Sequence, residues 1–151
     1  MVLGIGHPFR GDDAVGPLVA ERVAALALPG VVAVAHHGEG TDLMRMWQGY
    51  DRVVLVDATC SGQPPGLVRV WDDAGEVPAV GFPKSSHLFG VAEALEMARL
   101  LQRLPPLLRV VGIEGAEFSI GAEMSGPVVA SLPTAVQAVS AFLRLSGPQK
   151  I

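Results

Sequence analysis

The chain has 151 residues, of which 50% are hydrophobic and 17% charged, and its net charge is −4. That length fits one domain, and the apolar content excludes a disordered chain. The slight negative charge, the lack of any like-charge block and the 5% aromatic content exclude a nucleic-acid partner, which needs a basic stripe or a stacking surface. The one cysteine, Cys60, excludes an internal disulfide framework and fits a reducing compartment.

Met1 to Gly6 reads as a short buried strand with turn signals after it. From Ala14 to Leu28 the apolar residues Val15, Leu18, Val19, Val23 and Leu26 recur at helical spacing, with Asp12 or Asp13 at the expected N-cap and Pro17 in the first turn. Pro29-Gly30 stops this helix. Val31 to Ala35 is a second strand, followed by the polar loop His36-His37-Gly38-Glu39-Gly40, and Thr41 is placed to cap a short helix from Asp42 to Tyr50.

Arg52 to Val56 is the third strand. Its run Val53-Val54-Leu55-Val56 is continuous rather than alternating, as in a parallel strand covered by helices on both faces. It leads into Asp57-Ala58-Thr59, and a carboxylate at such a strand end needs partners. Leu67 to Trp71 alternates and follows a connection too short for a parallel crossover, so it reads as an edge strand. Asp72 to Ser86 is polar. Ser86 is expected to cap a helix opening at His87 and running to Arg103, with Val91, Leu95, Ala98 and Leu101 as its stripe. Leu107 to Ile113 is the fifth strand. Ser125 opens a last helical stretch to Leu145, with Pro133 as a kink or restart, and the tail from 146 to 151 reads as frayed.

Strands alternating with helices in this way predict an α/β fold: a single-domain three-layer sandwich over residues 1–151, with a twisted, mostly parallel sheet and helices on both faces. No apolar run reaches the roughly 18 uninterrupted residues of a membrane span. The strand pattern begins at once, without a basic and apolar leader, so a cytoplasmic location is expected.

Three kinds of chemistry are open to these residues. Gly4-Ile5-Gly6 is half a dinucleotide fingerprint, but Phe9 stands where the third glycine belongs, and His36 and His37 stand where a ribose-binding acid would end the second strand. No nucleophile elbow is present, and Cys60 has no local activating partner. The remaining reading is a metal site. Asp13 after strand one, Asp57 after strand three and His87 at a helix start all fall on the side of a parallel sheet where ligands bind. Two carboxylates and one imidazole suit a divalent first-row metal with open positions, and a helix N-terminus would keep His87 neutral. His36 and His37 are further imidazoles, in a loop where solvation is the simpler expectation.

The same residues carry a family likeness. Gly4-Ile5-Gly6 with Gly11-Asp12-Asp13-Ala14-Val15-Gly16, then Val56-Asp57-Ala58-Thr59, Ser86-His87-Leu88-Phe89-Gly90 and Val111-Gly112-Ile113-Glu114-Gly115, resembles the hydrogenase maturation endopeptidases. The likeness runs from Met1 to Leu145. It implies a five-stranded sheet between helices, and one proteolytic cut that removes the C-terminal extension of a nickel–iron hydrogenase large-subunit precursor after nickel insertion. The implied metal contacts and catalytic residues are Asp13, Asp57 and His87, with nickel carried by the precursor, or another divalent metal in the isolated protein. His7 departs from the family's usual Asn: it either supports the ligands from behind, as Asp12 does, or reaches the metal itself, or serves as a general acid–base. Gly38-Glu39-Gly40-Thr41 matches the family's glycine-containing loop only loosely. The implied partner is the precursor; from the short apolar runs no membrane is expected, and a small protein receiving a large partner is expected to be monomeric. The alternatives are a maturation chaperone that binds nickel or precursor without cutting, and a metal-dependent small-molecule hydrolase, which would need a deep pocket.

Overall fold

The computed structural model describes residues 1–82 and 90–145. Among these residues five strands, β1 (Val2–Ile5), β2 (Ala33–His36), β3 (Arg52–Thr59), β4 (Val68–Trp71) and β5 (Leu107–Glu114), form one sheet in the order β2-β1-β3-β5-β4. All neighbours pair in parallel except β4, which runs antiparallel to β5 at the edge. The expected edge strand is thus the antiparallel one.

Among the described residues four α-helices cover the sheet: α1 (Val15–Ala25), α2 (Gly40–Trp47), α3 (Val91–Leu100) and α4 (Gly126–Arg144). Alternation along the strands divides the core in two. Val2, Val54, Val56, Val111 and Ile113 face α1 and α4, meeting Val15, Val19, Leu132 and Val139. Leu3, Ile5, Val53, Leu55 and Val110 face α2 and α3, meeting Leu43, Trp47, Leu95 and Ala98. Helix α4 is long and apolar enough, by composition, to cross a membrane. Its buried side, Val128, Leu132, Ala135, Val139 and Phe142, belongs to the core.

Several local expectations shift. Helix α1 is preceded by a turn of 3₁₀-helix, Gly11–Ala14, and its N-cap position is held by Ala14 with no side-chain cap, so neither Asp12 nor Asp13 caps it. Helix α2 is capped by Glu39, whose carboxylate accepts the Thr41 and Asp42 N–H groups at 3.0 and 2.8 Å, rather than by Thr41. Helix α3 begins at Val91 behind an extended Gly90, whose N–H donates to the Glu93 carboxylate at 3.2 Å; the expected opening at Ser86 and His87 lies outside the described residues. Helix α4 runs unbroken through Pro133.

The glycines of the first turn serve close packing. A Cβ on Gly4 would fall on the Gly16 carbonyl oxygen, and one on Gly16 would fall on the Ile5 carbonyl oxygen. These two positions let α1 lie directly on β1, which fixes where the intervening 3₁₀ turn and its carboxylates sit.

Candidate active site

In the strand order β2-β1-β3-β5-β4, chain progression reverses direction between β1 and β3. The crevice at such a reversal, beyond the C-terminal strand ends, is the natural binding place in an open α/β sheet. Asp13 lies in the turn after β1, and Asp57 lies near the end of β3, opposite Gly112 of β5. Both are buried. The structure therefore brings these two residues together. His87 lies outside the described residues. Among the described residues, no group of three His, Cys, Asp or Glu side chains is arranged to hold a metal ion.

Asp13 and Asp57 are electrostatically matched. Burial raises the Asp13 carboxyl above its ordinary range, opposed by the His7 N–H, which donates to Oδ2 at 2.9 Å, and by the Arg10 charge. Burial pushes Asp57 well above the ordinary range; the nearby Asp13 charge adds to this, and the Ala58 backbone hydrogen bond opposes it. Two buried carboxylates that disfavour each other's ionisation are relieved by a shared proton or by a cation between them. Their oxygen donors, joined by an imidazole, suit a divalent first-row metal. The donor chemistry fits a metal; two described donors alone do not complete a site.

Asp12 has a different task. Its fully buried carboxylate accepts the backbone N–H groups of Ala116, Glu117 and Ser125 at 2.7, 3.0 and 2.7 Å, and the Ser125 hydroxyl at 2.9 Å. Its own N–H donates to the Glu117 carbonyl at 2.7 Å. Burial raises its pKa, and these hydrogen bonds more than reverse that, so the carboxyl stays below its ordinary range. Asp12 thus ties the β1–α1 turn to the β5–α4 loop. Ser125, at the N-cap position of α4, gives its hydroxyl to this tie and makes no side-chain cap.

His7 reaches Asp13 through its main chain. Its exposed ring accepts the Phe9 N–H on Nδ1 at 3.2 Å and meets the Phe9 ring edge-on at 5.8 Å between centroids. His36 is not a solvated loop histidine. It is buried, its Nδ1 accepts the Gly38 N–H at 2.8 Å, and its Nε2 lies 2.8 Å from Asp42 Oδ2. With Nδ1 accepting, the ring proton sits on Nε2 and is donated to Asp42. His37 stacks on it at 4.7 Å.

A further buried acid, whose role does not show in the sequence alone, is Glu114, at the end of β5. It accepts from the Thr59 hydroxyl at 2.6 Å, from the Ser61 N–H and hydroxyl at 2.7 and 2.9 Å, and from the Gln63 N–H at 3.2 Å, with Arg69 at 3.5 Å. Burial raises its pKa, and these bonds carry it below the ordinary range. It fixes the loop that leaves β3 just after Asp57. The apolar run ahead of Glu114 was the available signal, since an acid closing a buried strand needs partners.

A family model described as hydrogenase maturation protease matches residues 18–141. Among curated proteins, the hydrogenase 2 maturation protease of Escherichia coli K12 is 32% identical over 157 aligned positions, covering 100% of this chain and 94% of that protein. The hydrogenase expression/formation protein HupD of Rhizobium leguminosarum bv. viciae is 30% identical, covering 97% and 75%. Among solved structures, the hydrogenase maturating endopeptidase HybD from E. coli superposes with a TM-score of 0.79 at 27% identity, covering 97% of this chain and 92% of that one. The fold and these likenesses define a peptidase, an enzyme that hydrolyses peptide bonds. The chain belongs to the hydrogenase maturation protease family.

Proposed function

We propose that this endopeptidase removes the C-terminal extension of a nickel–iron hydrogenase large-subunit precursor after nickel insertion, with Asp13, Asp57 and His87 as its working residues. The observation that carries the assignment of the site is the buried Asp13–Asp57 pair at the reversal point of the sheet, in a chain of this family. The precursor brings the nickel, so the metal is part of the substrate. Two carboxylates that oppose each other's charge gain by meeting a cation, which makes the loaded precursor a better ligand than the empty one.

When bound, such a metal polarises a carbonyl or acidifies a water. The protein's own share is orientation. The His7 N–H fixes one oxygen of Asp13, the β3–β5 pairing fixes the Asp57 main chain, and Asp12 and Glu114 lock the loops on either side. His7 and Asp12 act as supports rather than as ligands. We place the protease in the cytoplasm as a monomer.

The test is the mass of purified precursor, nickel-loaded and nickel-free, with and without this protein. Loss of a C-terminal peptide from the loaded form alone supports the reading. Loss from both forms removes nickel recognition. A stable complex of unchanged mass would make the protein a binding chaperone instead.

A further inference from the structure

The turn after β1 and the loop before α4 act as one platform, and its outer edge carries two large apolar side chains that the fold does not use. The platform is pinned at several points. Asp12 takes three N–H groups and a hydroxyl from residues 116–125. The Gly121 N–H donates to the Phe9 carbonyl at 2.7 Å, and Arg10 Nε donates to the Phe118 carbonyl at 3.3 Å. Gly11 adopts φ +56° with its Cα against the Glu117 carbonyl, where a side chain has no room.

The packing needs of the 115–125 loop are met by Phe118, which turns in against the core. Phe9 and Ile120 are left 70% and 82% exposed. Scattered surface hydrophobics are ordinary, but here the Phe9 carbonyl is hydrogen-bonded to Gly121, the residue next to Ile120, which fixes the two positions on one rigid rim and makes a ready contact surface. That rim is continuous with the candidate active site: the His7 ring packs on Phe9 while the His7 N–H holds Asp13.

Resting on the proposed protease function, we infer that Phe9 and Ile120 form an apolar subsite that grips the precursor. The occupant is an extended segment of the large subunit beside the scissile bond, carrying an apolar side chain that packs between the two residues. His7 links this subsite to Asp13, so its ring serves substrate positioning rather than metal binding. A pre-formed rim of this kind contributes binding that is equal in the ground and transition states, and its loss appears mainly in KM.

The experiment measures kcat and KM for cleavage of nickel-loaded precursor by wild type, Phe9→Ser, Ile120→Ser, the double variant, Phe9→Leu and Leu100→Ser. Leu100 is 62% exposed at the C-terminal end of α3, which leads into the N-terminal end of β5, away from the C-terminal strand ends, and serves as the control. Melting temperatures verify that every variant is folded. For the double variant KM should rise about ten-fold or more, with kcat falling by a smaller factor. Phe9→Leu should keep most of the affinity, and Leu100→Ser should match wild type. A double variant with wild-type KM, or an equal rise in Leu100→Ser, overturns the inference while the protease reading stands. Wild type that leaves loaded precursor uncut overturns the protease reading and this inference together.

Discussion

Asp12 and Asp13 are adjacent in the chain and sit in opposite electrostatic environments. Burial raises both carboxyls. Four hydrogen-bond donors overcome that effect at Asp12, whereas at Asp13 the one backbone donor and nearby positive charge do not. One residue is a satisfied structural anion. Its neighbour is held with unspent capacity for a cation or a proton.

Asp12→Ala is expected to cost about 3–5 kcal/mol, because several buried donors would lose their acceptor at once. This exceeds the loss of a helix cap, which runs to about 0.5–2 kcal/mol. Urea denaturation at neutral pH checks it, and a loss under about 1 kcal/mol would mean that the platform does not depend on this carboxylate.

Asp57→Asn is expected to raise the melting temperature of the metal-free protein at pH 7 while abolishing cleavage. Asp57 has a folded-state pKa well above its unfolded value near 3.8. The folded state therefore holds the proton more tightly, and stability falls as pH rises from that value through the folded pKa. The variant's advantage should disappear in acid, where both states of wild type are protonated. A variant less stable than wild type at pH 7 would contradict the raised pKa.

Glu114→Gln should behave in the opposite sense. Its folded-state pKa lies below the ordinary 4.5. The stability it contributes is complete above that value and is lost as pH falls through the folded pKa. The variant should lose about 2–3 kcal/mol at pH 7, and the gap should narrow toward pH 3. Denaturation curves at the two pH values decide it; a gap independent of pH would mean that the charge is irrelevant.

Gly16→Ala should damage both stability and activity. Its methyl would meet the Ile5 carbonyl oxygen, forcing α1 off β1, at about 1–3 kcal/mol or more. The 3₁₀ turn bearing Asp13 would move with the helix. Thermal melts and precursor cleavage measured side by side test this, and a fully active variant would show that the close α1–β1 contact does not position Asp13.

The sheet was legible because its signals are local. The continuous run Val53–Val56 marked a doubly covered strand, and the alternating stretch near Val68–Trp71 marked the edge. The convergence of Asp13 and Asp57 followed from strand order, since residues after parallel strands collect at one edge. What stayed hidden depends on contacts across the chain. The partners of Asp12 lie 104 to 113 residues away, so its neighbour-based reading as a helix cap was the wrong one. Glu114 joins β5 to a loop 51 to 53 residues earlier. The start of α3 at Val91 is set by the extended Gly90, a residue whose backbone angles the sequence does not reveal.

The most direct measurement is the mass of nickel-loaded precursor after incubation with wild type and with Asp13→Ala, Asp57→Ala and His87→Ala, each verified as folded. Wild type should release a C-terminal peptide, and each variant should leave the precursor at full mass. Processing at the wild-type rate by any one variant would contradict the assignment of that residue to the active site.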